Sequence, residues 1–237
     1  LAYCFALKNK RTLLVDFDPS ANATHIFTSS IPGLTAKDFL LSKEITTLAC
    51  IQAFNKDDMI FYLTLLPSHI SLALTEREIG NRPFRETFLS KKLNDPSMSN
   101  NYDYILIDCQ PTLTTLTINA MYAADFILIP VTYEKDALEG VADLFETLNE
   151  IKEGHTYDFR LVRNRYDARK KTANAFIAEK LQPFILQDIV LKTIIRQDED
   201  VNKATMENQT IISYAPKSQA AQDYQALCAE LEELFNG

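Results

Sequence analysis

The sequence is poor in glycine, and this limits the ways in which it could bind a nucleotide. Its five glycines are spread over the whole chain: Gly33, Gly80, Gly140, Gly154 and Gly237. No two are close enough to share a motif, so neither the G-x-G-x-x-G fingerprint nor the G-x-x-x-x-G-K-[ST] phosphate loop is present. If the protein binds a nucleotide, the loop that surrounds the phosphates lies outside these residues.

Long apolar runs and paired cysteines are also missing. No run approaches the ~18–20 residues that a membrane-spanning helix needs, and the first residues do not have the pattern of a signal peptide. The four cysteines include no C-x-x-C pair, so the sequence indicates neither a zinc nor an iron–sulfur site. These absences argue against a secreted or integral-membrane protein and favour a cytoplasmic one.

The composition is otherwise that of an ordinary folded protein. Of the 237 residues, 46% are hydrophobic and 24% are charged, and the net charge is −8. A chain of this length can bury a substantial core, in one large domain or two small ones. Disorder over the whole chain is excluded by the hydrophobic content.

Short apolar runs that end at polar residues predict buried parallel strands at 12–15, 104–107 and 126–129, with similar runs at 60–66 and 159–162. Segments with apolar residues at helical spacing alternate with them: 1–7, 68–78, 85–93, 114–123, 136–151, 173–181 and 218–235. The polar stretch 94–101 is predicted to be a surface loop. This alternation predicts one α/β domain over residues 1–237, with a mostly parallel sheet and helices on both faces.

Acidic residues follow two of the predicted strands. Asp16 and Asp18 come directly after the first strand, before Pro19 stops it. Because ligands bind at the carboxyl edge of an open α/β sheet, this pair is a candidate site. A strand end with a simple turn, followed by Asn22 capping a short helix, is the alternative, and the spacing alone leaves both open. Asp108 ends a second strand in the general form of a Walker B element, whose acid holds Mg²⁺ beside nucleotide phosphates.

Four segments occur in the order and spacing of one known family: LLVDFDPSANAT, YDYILIDCQPTLTTLTINAMYAADFILIPV, DALEGV and IISYAPKSQAAQDYQALCAEL. Together they resemble the ParA/Soj group of partitioning ATPases, which is related to MinD. The resemblance implies a P-loop NTPase-like fold of the deviant Walker A class, with ATP and Mg²⁺ as cofactors. In that family a strand and a K-G-G-x-G-K-T-T phosphate loop precede the helix seen here at 1–7, so we expect both to be missing from this chain.

The resemblance also implies roles for individual residues. Asp18 matches the catalytic switch I aspartate that positions the attacking water, and Asp16 lies next to the water shell of the magnesium ion. Asp108 matches the Walker B acid at the metal. Asn164 and Pro216 match positions around the adenine.

The sequence departs from the family pattern at three points. Gln110 stands where a proline is usual, Thr114 where a glycine is usual, and Ser20-Ala21 where Gln-Gly is common. The first two fall in switch II. They therefore bear on the coupling of hydrolysis to dimer rearrangement more than on the magnesium site.

The function implied by the resemblance is ATP-dependent partitioning of plasmid or chromosomal DNA. Members of the family form nucleotide-sandwich homodimers, bind duplex DNA without sequence preference, and are switched by a ParB-like centromere-binding protein. The expected location is the nucleoid region of the cytoplasm. For DNA the resemblance favours Arg196 and Lys217, with Lys192 and Lys203 as helpers, and the basic cluster 163–171 is the second choice.

Two other functions remain open at this stage. A MinD-like membrane-cycling ATPase needs a basic amphipathic helix at its C-terminus, whereas residues 227–235 have an acidic polar face that anionic lipid repels. We therefore expect no membrane partner. A non-enzymatic regulator without a phosphate loop would match the chain as given. Three acids at one sheet edge would have little use in such a protein.

Overall fold

A computed structural model describes residues 1–30, 33–42, 50–55, 58–133, 146–147, 149–151 and 157–236. The chain divides into two compact units. The N-terminal unit comprises Ala2–Ala124 and Thr205–Thr210, and the C-terminal unit comprises Leu1, Asp125–Ala204 and Ile211–Gly237. Each unit contains a sheet, and the predicted α/β fold with mostly parallel strands is confirmed.

The sheet of the N-terminal unit has four strands: β1 (Thr12–Asp16), β2 (Ile51–Asn55), β3 (Asp58–Leu66) and β4 (Tyr104–Asp108). Their order is β2-β3-β1-β4. β1 pairs in parallel with β3 on one side and with β4 on the other, whereas β2 runs antiparallel to β3. Every residue of β1 is buried, as is typical of a parallel strand covered on both faces.

Helices cover both faces of this sheet. They are α1 (Ala2–Leu7), α2 (Asn22–Phe27), α3 (Ala36–Leu41), α4 (Leu72–Gly80), α5 (Phe88–Leu93), α6 (Pro96–Ser99) and α7 (Thr115–Ala123), with a short 3₁₀ helix at Arg85–Thr87. Side chains of β1 alternate between two cores. Leu13 and Val15 pack with residues of α3, α4, α5 and α7, and Leu14 packs with residues of α1 and α2. The end of β1 is therefore fixed from both sides.

The C-terminal unit contains three parallel strands in the order β5-β6-β7: β5 (Phe126–Val131), β6 (Asp158–Tyr166) and β7 (Val190–Arg196). The helices that follow β6 along the chain are α8 (Lys171–Ile185), α9 (Glu199–Met206), α10 (Ile211–Tyr214) and α11 (Gln219–Asn236). Ile177 and Leu181 of α8 are buried in one cluster with Leu161 of β6. This contact fixes the turn between β6 and α8.

The outer edge of β7 is covered by acids of α11. The Glu230 carboxylate accepts hydrogen bonds from the backbone N–H groups of Lys192 (2.6 Å) and Thr193 (2.9 Å). The Asp223 carboxylate accepts one from the N–H of Arg196 at 2.9 Å. These side chains satisfy donors that a further strand would otherwise bind, so they protect the edge from pairing with another chain.

Most predicted elements are present with shifted ends, but β2 and β7 were not predicted. The prediction of a loop at 94–101 is wrong in part, because this stretch contains α6. Asp95 caps that helix by accepting a hydrogen bond from the N–H of Ser97 at 2.9 Å, and Met98 is fully buried. The predicted helix at 136–151 lies mostly outside the described residues, although 146–147 and 149–151 are helical.

Candidate active site

Parallel pairing brings two of the predicted acids to the same edge of the N-terminal sheet. In the register of β1 and β4, Asp16 lies directly opposite Asp108. The chain beyond β1 stays attached to β4, since the N–H of Phe17 donates to the carbonyl of Asp108 at 2.7 Å. Asp18 follows one residue later and is partly buried. The three acids predicted from the strand ends therefore occupy one edge.

Asp16 is wholly buried, with 0% of its surface exposed. One carboxylate oxygen accepts hydrogen bonds from both the N–H and the hydroxyl of Thr24, each at 2.7 Å. The other accepts a longer bond, 3.3 Å, from the N–H of Asp18. Asp16 thus connects the end of β1 to the start of α2 and holds the backbone of Asp18.

Thr24 and Ser68 were not among the predicted site residues. Both are fully buried. The hydroxyl of Thr24 accepts a hydrogen bond from the N–H of Ser68 at 2.8 Å while it donates to Asp16. This joins β1, α2 and the segment after β3 in one network. The threonine stands in the quoted motif LLVDFDPSANAT, but its partner is 44 residues away along the chain, and no local sequence signal indicates that contact.

The turn between β1 and α2 is built by Asp18 and its neighbours. The Asp18 carboxylate accepts a hydrogen bond from the N–H of Ser20 at 2.8 Å, and its carbonyl accepts one from the N–H of Ala21 at 2.9 Å. Ala21 has φ 56 and ψ 29, in the left-handed region that favours glycine. The resemblance expects glycine at this position, and the backbone shows the physical reason. Helix α2 begins at Asn22, and Ala21, not Asn22, occupies the capping position.

Burial and the closeness of the carboxylates raise the pKa values of several groups at this edge. Desolvation by the surrounding protein, followed by the negative charges of Asp16 and Asp18, raises the pKa of Asp108 to about 6. Burial is also the main cause that raises the pKa of Asp16, although the hydrogen bonds from Thr24 oppose it. Burial and the charges of Asp108 and Asp18 raise the pKa of the Cys109 thiol to about 11. The thiol stays protonated near neutral pH, so a nucleophilic role for Cys109 is disfavoured.

The carboxylates at this edge suit a divalent cation. Asp18 and Asp108 offer carboxylate oxygen, the ligand that Mg²⁺ prefers, and a bound cation would relieve the repulsion among the three acids. In the described part of the chain, no three acidic, histidine or cysteine side chains are placed to hold a metal by themselves. The magnesium role of Asp108 therefore stays a prediction.

The segment after β4 is held by threonines. Thr114 caps α7 by accepting a hydrogen bond from the N–H of Thr117 at 3.4 Å, and its φ of −104 is ordinary for a threonine. The hydroxyl of Thr117 donates to the carbonyl of Thr112 at 2.7 Å and to that of Gln110 at 3.4 Å. The two departures from the family pattern, Gln110 and Thr114, are therefore accommodated without backbone strain.

The candidate adenine residues lie in the C-terminal unit. Asn164 is near the end of β6, and its side-chain oxygen accepts a hydrogen bond from the N–H of Arg165 at 2.9 Å. Pro216 is exposed in the turn between α10 and α11. Their role around the adenine stays a prediction.

The two candidate DNA contacts differ in their surroundings. The Arg196 side chain is 40% exposed, and its guanidinium donates to both oxygens of Asp223, with the shortest bond at 2.6 Å. These contacts hold the pKa of Arg196 above its usual range, and Asp198 adds a further negative charge. Lys217 is exposed and forms no ion pair among the described residues. The DNA role of both residues stays a prediction, with Arg196 already engaged by an acid.

Comparison with known proteins agrees with this geometry. The sequence matches the protein family described as "AAA domain" over residues 1–161. It is 33% identical over 240 residues to the sporulation initiation inhibitor protein Soj of Bacillus subtilis, covering 98% of this chain and 90% of that protein. It is 32% identical over 229 residues to the chromosome-partitioning ATPase Soj of Treponema pallidum, covering 95% and 87%. The chain therefore belongs to the ParA/Soj family within the AAA-domain class.

A solved structure shows the same fold. Cobyrinic acid a,c-diamide synthase from Mycobacterium smegmatis, with bound ADP and magnesium, superposes with a TM-score of 0.79 at 22% identity. The match covers 100% of this chain and 87% of that one. It confirms the predicted P-loop NTPase-like fold class.

Proposed function

We propose that the protein is an ATPase that hydrolyses ATP with Mg²⁺ and uses the cycle to partition plasmid or chromosomal DNA. The observation that carries this proposal is the meeting of Asp16, Asp18 and Asp108 at one sheet edge. Family membership and a relative named as a chromosome-partitioning ATPase support it. The family match over residues 1–161 continues across the boundary between the two units, which supports a single ATPase domain over 1–237.

Each acid has a distinct role in this mechanism. When bound, Mg²⁺ neutralises phosphate charge at the β4 edge. Asp108, which is exposed at the end of β4, would hold the metal. Asp18 accepts a hydrogen bond from the attacking water and orients it. Asp16 is buried and accepts hydrogen bonds from Thr24 and from the N–H of Asp18, so it fixes the backbone from which Asp18 projects.

Residues 1–237 include the three acids but no glycine- and lysine-rich loop that could bind the phosphates. Phosphate binding in such sites depends on successive backbone N–H groups and a lysine, which carboxylates cannot replace. We therefore expect the 237-residue chain alone to bind Mg-ATP feebly or not at all. Isothermal titration calorimetry measures this directly, and micromolar affinity would contradict it.

The roles are tested in a version of the protein that carries a phosphate loop ahead of residue 1. Asp18→Ala should abolish hydrolysis and leave Mg-ATP binding intact, whereas Asp108→Ala should also weaken the Mg²⁺-dependent part of binding. Glu78→Ala, which removes an exposed acid from α4, is the control and should change neither quantity. Unchanged hydrolysis in Asp18→Ala would refute the proposed site, and equal loss of nucleotide binding in both variants would refute the division of roles.

The partners that we propose follow from the family. They are a second copy of the chain in a nucleotide-sandwich dimer, duplex DNA without sequence preference, and a ParB-like centromere-binding protein, all in the nucleoid region of the cytoplasm. Lys217, exposed beside the start of α11, remains a candidate DNA contact.

The membrane-cycling alternative is disfavoured by α11. In α11, Glu230 binds backbone N–H groups of β7, and Glu233 is exposed in the last turn. A helix with such acids is repelled by anionic lipid. None of the helices in the described part of the chain has the length and apolar character needed to cross a membrane.

A further inference from the structure

An exposed aromatic side chain lies in the loop between α4 and α5. Phe84 is 72% exposed, so its ring contributes little to the core of the N-terminal unit. Its φ of 56 and ψ of 34 lie in the left-handed region, where a bulky side chain strains the backbone. Strain of this kind persists where the surrounding structure enforces it, and it is common at binding sites.

Hydrogen bonds fix the loop that carries Phe84. The carbonyl of Phe84 accepts one from the N–H of Thr87 at 3.0 Å and one from the hydroxyl of Thr87 at 2.8 Å. The buried Asn119 of α7 donates to the carbonyl of Arg85 at 2.7 Å, and the Arg85 guanidinium donates to the carbonyl of Gly80 at 2.6 Å. Because the backbone is already ordered, a partner that binds here loses little loop entropy.

Cations surround the ring of Phe84. Nζ of Lys91 lies 6.0 Å from the centroid of this ring, and the guanidinium carbon of Arg82 lies 5.8 Å from the ring centroid of Phe88. Lys91 and Arg82 are exposed, and neither forms an ion pair within the described residues. Residues 77–92 contain five cations and two acids, a local charge of +3 in a chain whose net charge is −8. We call the following set the Phe84 surface: Arg82, Phe84, Arg85 and Lys91.

A cleft lies beside the exposed ring. It has a volume of about 440 Å³ and is lined by residues 80–86. Because one short segment lines it, the cleft does not enclose a ligand on all sides as a cofactor pocket does. It suits a large side chain that projects from a partner protein and packs against the ring of Phe84.

We propose that the Phe84 surface docks an acidic segment of a partner protein, with an aromatic or large aliphatic side chain in the cleft and carboxylates beside Arg82 and Lys91. Protein interfaces are centred on such anchors and have polar contacts at the rim. The positive charge around the ring selects an acidic partner over a basic one. The inference does not depend on the proposed ATPase function, because no nucleotide takes part in it.

Other polyanions suit the Phe84 surface less well. A membrane-binding segment needs a face of several large apolar side chains, whereas Phe84 is the one exposed large hydrophobic residue within 80–92. Single-stranded nucleic acid is bound by successive aromatic rings along a basic groove, and here Glu78 and Glu86 interrupt the cations. A peptide needs one anchor and a few carboxylates, which is what this surface can accommodate.

The test is a selection of short random peptides, displayed on phage, against the immobilised 237-residue chain. Because the library is random, the selection does not presuppose an acidic sequence. We expect the enriched peptides to carry Asp and Glu around one aromatic or large aliphatic residue. Their affinities for the wild type and its variants are then measured by fluorescence anisotropy with labelled synthetic copies.

Phe84→Gly is the decisive variant, because glycine adopts the φ of 56 without strain. It should weaken peptide binding by about tenfold or more. Its melting temperature, followed by circular dichroism, should be equal to or above that of the wild type. The matched control is Phe61→Ala, which removes a ring that is 77% exposed in β3 and should leave the affinity within about twofold of wild type.

A second pair of variants tests the charge. Arg82→Gln should weaken binding by about twofold to fivefold, and the loss should shrink as salt is added. Lys180→Gln is the control, since Lys180 of α8 is also exposed and also lies near a ring, 5.7 Å from the centroid of Phe176. It should leave peptide binding unchanged.

Several results would overturn the proposal. They are enrichment of no peptide that depends on Phe84, enrichment of basic peptides, and equal affinities of Phe84→Gly and Phe61→Ala. A clear fall in the melting temperature of Phe84→Gly would also overturn it, because the ring would then be retained for stability. Stronger binding of oligothymidine or of anionic vesicles than of any peptide, lost in Phe84→Gly, would overturn the choice of a protein partner.

Discussion

Replacing Asp108 with asparagine should stabilise the protein in the absence of metal. Crowding by protein and by the charges of Asp16 and Asp18 raises the pKa of Asp108 to about 6. A rise of about two units corresponds to about 2.7 kcal/mol of unfavourable free energy for the ionised form. Because Asp108 is exposed to solvent, screening reduces this, and we expect a gain of about 1 kcal/mol in the free energy of unfolding at pH 7.5.

The pH dependence carries the sharper test. An acid whose pKa is raised on folding binds its proton more tightly in the native state, so stability falls as pH rises from about 4 to about 6. Above that pH range the ionised Asp108 lowers the free energy of unfolding by its full amount, and below the range this loss disappears. Urea unfolding with EDTA should therefore show Asp108→Asn more stable than wild type at pH 7.5, and the difference should shrink as the pH falls from 6 toward 4.

A second acid, beside the start of the same strand, supplies the opposite control. Asp103 immediately precedes β4, and hydrogen bonds from Arg11 lower its pKa. Its stabilising effect is present above its unfolded pKa and is lost as pH falls, so Asp103→Asn should destabilise the protein at pH 7.5. The reasoning is refuted if Asp108→Asn loses stability at pH 7.5, or if its gain does not shrink toward pH 4.

Two further substitutions test the fold around the sites. Ala21→Gly should raise the free energy of unfolding by about 0.5–1 kcal/mol in urea titrations, because φ at this residue is 56 and glycine adopts it without strain; a loss of stability would contradict that explanation. Glu230→Gln should lower the free energy of unfolding by about 1–2 kcal/mol, since two backbone donors of β7 lose a charged acceptor. Glu233→Gln, at an exposed position of the same helix, is the control. Equal losses of stability in the two variants would refute a stabilising role for the contact between Glu230 and β7.

The position of Asp16 and Asp108 at one edge of the N-terminal sheet could be predicted because it depends on local sequence patterns. Buried parallel strands are continuous apolar runs, and β1 and β4 each end in an acid at the point where the run stops. Their parallel pairing then brings Asp16 and Asp108 together without any further information. The sequence also predicts α7 and α11 to within one residue at each end, and α11 has a clear apolar stripe that includes the buried Leu227 and Leu231.

What could not be predicted depends on contacts between distant parts of the chain. β7 is interrupted by Lys192 and Thr193, so its pattern does not have the continuous apolar character of β1. The acidic face of residues 227–235 gives no local sign that the Glu230 carboxylate binds the edge of β7, 37 and 38 residues away along the chain. The hydrogen bond from Ser68 to Thr24 spans 44 residues. Local spacing carries no signal for such pairs.

Two unfavourable features meet at the edge of β1, and their coincidence favours a functional site there over a simple strand end. Asp108 has an acid pKa raised by crowding, and Ala21 has a backbone conformation that costs an alanine about 1–2 kcal/mol. A strand that merely ended at this point could replace Asp108 with asparagine and straighten the turn. Strain and repulsion of this kind are retained where a ligand relieves them, and Mg²⁺ with phosphate would relieve the repulsion directly. A regulator that had lost nucleotide chemistry would have no such compensation, so the edge itself argues for the ATPase.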